Sequence, residues 1–143
     1  MSQQQGLGPR RAALYMLDQV TGEGKLLPEL IGEGALQHLS PEDRARAQRL
    51  TAETLRGLAR ADRMLARFLQ KTPPLSVKNV LRRCTVELAS GEAPYGVVNA
   101  GVEMVARSQR TSSMKGLVNA VLRKVAAEGS EGWSQLATPR MPG

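Results

Sequence analysis

Cysteine and histidine are almost missing from this chain: Cys84 and His38 stand alone. One cysteine closes no internal disulfide, and one thiol with one imidazole falls short of the ligand set of a structural zinc site. Aromatic residues are only 3% of the chain, too few for the stacking platforms of the common single-strand-binding sheets. No uncharged run approaches the roughly 20 apolar residues that a membrane helix requires. The opening MSQQQGLG lacks the charged start and apolar block of a secretion signal. There is no GxGxxG, no phosphate loop, and no pair of carboxylates on an apolar helical face. These absences predict a cytoplasmic chain with no membrane contact, no metal or cofactor, and no catalytic residue of its own.

What is present is an excess of basic charge on an ordinary globular composition. The 143 residues suit one core rather than two. A mean hydropathy of −0.29, with 41% apolar and 23% charged residues, argues against wholesale disorder. Twenty Lys and Arg against thirteen Asp and Glu leave +7 at pH 7, which favours a polyanionic partner, nucleic acid ahead of an anionic membrane surface.

Apolar spacings of three and four recur along the chain, whereas strand-like alternation and long repeats do not occur, so the fold class is all-α. Residues 1–8 read as a flexible tail. PRRAALYMLDQV (9–20) reads as a first helix with proline in its opening turn and Ala13, Leu14, Leu17 and Val20 along one side. A short second helix fits around Leu26 to Ile31. Ser40-Pro41-Glu42-Asp43 is a strong helix start, combining a capping hydroxyl, a first-turn proline and acids at the positive helix end. The helix it begins carries Ala47, Leu50, Thr54, Leu55 and Leu58 inward, bends near 57–62, and continues through Met64, Leu65, Phe68 and Leu69 to Pro73-Pro74. Ser76 is then placed to cap a helix burying Val77, Val80, Leu81, Cys84 and Leu88, with Lys78, Arg82 and Arg83 facing water. Two further helices, near 95–107 and 114–128, carry Val98, Gly101, Val102 and Val105, and Met114, Leu117, Val118, Val121, Leu122 and Val125. After Gly129 the periodicity fades, and 129–143 reads as a tail or the start of a linker.

Candidate functional residues are mainly cationic. Arg10 and Arg11 follow an acid-free start and meet no acid before Asp18, so the pair is a candidate RNA contact; Lys115, Arg123 and Lys124 give the final helix a similar excess. Arginine suits phosphate because its planar fork donates two hydrogen bonds at once. The arginines between 44 and 67 alternate with acids and read as a solvated face. His38 reads as a lone surface histidine and Cys84 as a small apolar group. Asn99 and Asn119 sit within helices, where asparagine is a weak former, so each is expected to satisfy backbone groups of a neighbouring loop or helix end. Gly101 and Gly116 suggest close helix approach.

Taken together, PRRAALYML, LSPEDRARAQRLTAETLRGLARADRMLARFL, APYGVVNAGVEMVARS and SSMKGLVNAVLRKV resemble the NusB family over about residues 9–127. The family includes stand-alone transcription antitermination factors and the N-terminal domain of the bacterial 16S ribosomal RNA cytosine-C5 methyltransferases. KGLVNAVLRK and LSPEDRARAQ are more similar to the methyltransferase branch. In the antitermination branch a histidine, lysine and phenylalanine lead into the valine-asparagine pair, where Lys115, Gly116 and Leu117 stand here. Other departures are Ala100 after Asn99 in place of a glutamate, a one-residue shorter 94–99 stretch, and Val86 in place of a tyrosine. The resemblance implies a helical domain over 9–128, of about six to seven helices in two packed subbundles, binding RNA through the arginine-bearing first helix, Arg10 and Arg11 matching its motif. It further implies, as partners besides RNA, a C-terminal methyltransferase domain or, in the antitermination alternative, a ribosomal protein. The methyltransferase chemistry requires an S-adenosylmethionine domain and two cysteines that this chain does not carry.

Overall fold

The computed structural model describes residues 2–136, with side chains from residue 8 onward. Within that span there are seven α-helices and no strand. They are α1 Ser2–Glu23, α2 Leu27–Gly32, α3 Pro41–Arg56, α4 Leu58–Ala66, α5 Leu75–Ala89, α6 Pro94–Ala106 and α7 Lys115–Gln135, with a single 3-10 turn, Ser112–Met114, before α7. No described helix is long and apolar enough to cross a membrane.

Two apolar clusters correspond to two subbundles. Ala12, Met16, Leu30, Leu36 and Ala47 join α1, α2 and α3. Met64, Leu65, Val77, Val80, Leu81, Cys84, Leu88, Val97, Val105, Val118, Val121, Leu122 and Val125 join α4 to α7. Each buried Leu or Val contributes roughly 1.5–3 kcal/mol. α5 lies between the subbundles, packed against α1, α3, α4, α6 and α7. Ser40 caps α3 as its sequence predicts, its hydroxyl accepting from the Asp43 amide at 3.2 Å.

Several local expectations are corrected. α1 is helical from Ser2, and Pro9 lies inside it and is buried. Proline's fixed φ is helix-compatible at the loss of one amide donor, so it does not mark the start here. Ser76 does not cap α5: Pro74 is the N-cap, and the Ser76 hydroxyl donates to Asp18 Oδ2 at 2.5 Å. Arg82 and Arg83 are buried, not solvated, because Asp62 of α4 takes the Arg82 fork and Glu87, one turn along α5 and covered by α1, takes Arg83. Leu117, expected on the inner stripe of α7, is 40% exposed near the helix start. Gly129 breaks α7 with φ +65°, yet a further helical run follows to Gln135. Its Trp133 packs on Gly57 and lies under the Arg60 guanidinium at 5.3 Å, so residues 130–136 are a packed element rather than a tail. Residues 137–143 lie outside the described chain.

The two glycines expected at close contacts separate cleanly. A Cβ on Gly101 would stand 2.8 Å from Cys84 Sγ and 2.9 Å from Leu122 Cδ1, so α5, α6 and α7 meet there with no room for a methyl group. A Cβ on Gly116 would meet nothing within 4 Å, so no close approach explains it. Gly101→Ala is therefore expected to destabilise by about 1–3 kcal/mol through overpacking. Gly116→Ala should leave stability unchanged or raise it by up to about 1 kcal/mol. Urea unfolding of the two variants checks this; equal losses would contradict the packing assignment.

Candidate nucleic-acid interface

Consecutive residues on a helix point about 100° apart, so Arg10 and Arg11 cannot face the same way. Arg10 turns inward. Its Nη2 donates to Glu87 Oε1 at 2.9 Å, and its Nε approaches the same carboxylate at 3.3 and 3.4 Å. Glu87 also accepts from Arg83 Nη1, one helical turn back on α5. Arg83 and Glu87 are 0% and 3% exposed, so two guanidiniums share one carboxylate away from water. Burial pulls the Arg83 guanidinium below its ordinary value, partly offset by Cys84, with Arg10 and Arg46 pushing further down. Arginine nonetheless stays charged, because its unperturbed value is so high. The same burial raises the Cys84 thiol, which leaves it protonated and inert rather than nucleophilic. Arg10 is thus committed to the fold rather than available on the surface as the sequence suggested.

Arg11 turns outward and is exposed. With Tyr15, one turn further along α1, it lines a cavity of about 430 Å³ together with Gly8, Ala12, Ala35, His38 and Arg107. Three elements contribute: α1, the connection between α2 and α3, and the end of α6. His38, which sequence alone leaves as an isolated surface residue, is brought beside two arginines and an aromatic ring. Arg107 lay outside the candidate set as well. Its only signal was position after a helix whose other end carries no base, and that is too weak to single it out. Arg107 Nε pairs with Glu103 Oε2 at 3.2 Å, but both side chains are exposed, and such pairs contribute about 0–1 kcal/mol. The guanidinium can therefore turn to an anion at little cost.

A second group of candidates lies on α6 and α7. Lys115 sits at the start of α7, close in sequence to Arg107 and Arg110; Arg123 and Lys124 lie two turns further on. All three are exposed, and none is ion-paired among the described residues. Asn99 and Asn119 meet across a shallow groove of about 330 Å³ between α6 and α7, lined also by Pro94, Tyr95, Val98, Arg123 and Ala126. Neither amide has a hydrogen-bond partner among the described residues, so the expected backbone-satisfying role is not seen at either position. The described residues contain no cluster of His, Cys, Asp and Glu suited to a metal ion.

Fold and surface together define a helical double-bundle domain with a cationic pocket where α1, the α2–α3 connection and the end of α6 meet. The chain belongs to the NusB family, whose pattern it matches over residues 8–127. Among solved structures it is similar to T. maritima NusB, with a TM-score of 0.75 and 21% identity, covering 91% of this chain and 96% of that one; at this identity the likeness shows the fold. Comparison with curated proteins finds no match.

Arg10 and Arg11 should separate in a stability assay. Arg10→Ala removes charge-assisted hydrogen bonds to a buried carboxylate and is expected to cost about 1.5–3 kcal/mol. Arg11→Ala removes an exposed side chain and should stay within about 0.5 kcal/mol of the parent. Chemical denaturation measures both, and equal effects would contradict the inward and outward assignment.

Proposed function

We propose that this protein is an RNA-binding recognition domain, acting without catalysis and positioning an RNA strand through the Arg11, Tyr15, His38 and Arg107 pocket. The observation that carries this reading is the convergence of two guanidiniums, an imidazole and an aromatic ring from three separate elements onto one cavity. Such a set fits phosphate and base together: the guanidinium forks hold phosphate oxygens, and the Tyr15 ring, half exposed, offers a stacking face. The overall +7 charge supplies attraction at longer range. Lys115 extends the cationic track beyond the pocket, and Arg123 and Lys124 extend it along α7.

Within the NusB family, the finer assignment is the recognition domain of a 16S ribosomal RNA cytosine-C5 methyltransferase, supported by KGLVNAVLRK at the start of α7. The methyltransferase domain would then be the partner that supplies S-adenosylmethionine chemistry. A second reading, a stand-alone transcription antitermination factor working with a ribosomal protein, draws support from the likeness to T. maritima NusB along nearly all of that chain. Tight RNA binding that appears only when a ribosomal protein is added favours the second reading; binding by the chain alone favours the first.

If Arg11, Arg107, Arg110 and Lys115 each neutralise one phosphate, affinity for single-stranded RNA falls with salt at a log-log slope of about −3, taking roughly −0.7 per contact. Replacing Arg11 and Arg107 together with alanine should weaken binding by about tenfold and bring the slope to roughly −1.5. Fluorescence anisotropy across a salt series measures both quantities. A slope near zero, or one unchanged by the double substitution, would contradict the assignment of this pocket.

A further inference from the structure

The groove between α6 and α7 is the second place where the fold gathers chemistry without using it. Tyr95 and Asn99 stand one turn apart on α6, and Asn119 and Arg123 one turn apart on α7, so each pair shares a helical face. The helices run antiparallel, and the four side chains border one groove of about 330 Å³ that Val98 and Ala126 also line. Tyr95 is 81% exposed, the most exposed large apolar side chain described in a chain poor in aromatics. Packing does not account for any of the four: Tyr95 contributes almost nothing to the core, and both amides and Arg123 have no hydrogen-bond or ionic partner among the described residues. Asparagine within a helix has a propensity cost relative to most residues, and here it brings no structural return.

We propose that this groove takes one unstacked adenine of a single-stranded RNA, with the base on the Tyr95 ring, its edge read by the Asn99 and Asn119 amides, and an adjoining phosphate held by Arg123. The inference rests on the RNA-binding reading above and adds to it a base preference and a second contact. Four observations select this occupant. The groove is small for a cofactor and suits a single planar group. Its mouth offers an aromatic face, which stacks on any base. With the Hoogsteen edge turned to the amides, an amide's acceptor and donor match the N6 amino group and N7 of adenine, whereas guanine presents two acceptors on that edge. No acidic residue lines it, and Arg123 and Lys124 flank it on α7, which suits a polyanion.

The groove and the Arg11 pocket lie at opposite ends of α6. Tyr95 and Arg107 are twelve residues apart, which at 1.5 Å per residue is about 18 Å along the helix. One strand following α6 would therefore meet phosphate-binding arginines at one end and a base-reading groove at the other.

The test uses the whole chain and single-stranded RNA hexamers that carry either one 2-aminopurine, a fluorescent purine that lacks the N6 amino group and so reports stacking alone, or one adenine, guanine or uridine in an otherwise uridine sequence. The expected results are 2-aminopurine fluorescence quenched on binding and an affinity for the adenine hexamer about tenfold above that for uridine alone. Tyr95→Ala should remove the quenching and weaken the adenine complex by about tenfold, while Tyr95→Phe, which keeps the stacking face, retains both. Asn119→Ala should abolish the preference for adenine while leaving uridine binding as it was. Arg11→Ala should weaken all hexamers alike. A preference for guanine would overturn the adenine assignment and make Arg123 the base reader. Normal RNA affinity with no base preference, unchanged by Tyr95→Ala, overturns the groove proposal while the RNA-binding reading stands. If no hexamer binds at any salt concentration, the RNA-binding reading itself fails, and this inference with it.

Discussion

One buried carboxylate holds the two halves of this protein together. Glu87 sits on α5, accepts from Arg83 on its own helix and from Arg10 on α1, and is almost entirely shielded from water. Isolating such charges from water costs several kcal/mol per ion unless they are paired and hydrogen-bonded. The chain can therefore keep Arg83 where it is only if the Glu87 carboxylate stays ionised beside it and α1 stays docked. The same logic repeats along α5: Asp18 on α1 accepts from Ser76 and Asn79 at 2.5 and 2.7 Å, and Asp62 on α4 takes the Arg82 fork at 2.8 and 2.9 Å. α5 is thus a polar spine as well as a hydrophobic one, its polar contacts reaching α1 twice, at Arg10 and Asp18, and α4 once, at Asp62.

That spine determines which cations are left for a ligand. Of the adjacent arginines on α1, one is drawn into the spine and the next is turned out beside Tyr15, His38 and Arg107. The arginines of α5, conspicuous as charges in sequence, are removed from the surface altogether. Among the cations that stay exposed are Arg11, Arg107, Arg110, Lys115, Arg123 and Lys124, from the Arg11 pocket past the start of α7 to the α6 and α7 groove. Arg11 and Tyr15 stand on α1, His38 in the connection between α2 and α3, and Arg107 at the end of α6, so the packing of these elements sets their spacing.

Much of this architecture was legible in the sequence. The Ser40 cap, the apolar stripes of α3 and α5, and the valine ladder of α7 follow from local chemistry with a period of 3.6, and the helices form where those signals fall. The family motifs likewise pointed to two subbundles. The site was only partly legible, for a physical reason: a charged residue on a helix shows its sign but not its partner. Arg82 and Arg10 resemble solvated or ligand-binding residues until α4 brings Asp62 to Arg82 across 20 residues and α1 brings Arg10 to Glu87 across 77; Arg83 has the same Glu87 four residues on along its own helix. His38 and Arg107 carried no local signal, since only the tertiary fold brings them to Arg11. Asn99 and Asn119 were noticed for their low helix propensity and given a structural task, yet the fold supplies no backbone group for them to satisfy. Gly116 was paired with Gly101 by analogy, although only Gly101 lies where three helices meet.

The central claim is that the Glu87 carboxylate is the charge on which this packing depends. The most direct measurement is the unfolding free energy of Glu87→Gln, which keeps the size while removing the charge and one of the two acceptor oxygens, followed in urea by the fluorescence of Trp133. With Arg83 left buried without its carboxylate, the account predicts a loss of about 3–5 kcal/mol. A variant as stable as the parent would show that the buried arginines do not need that carboxylate, and would contradict the account.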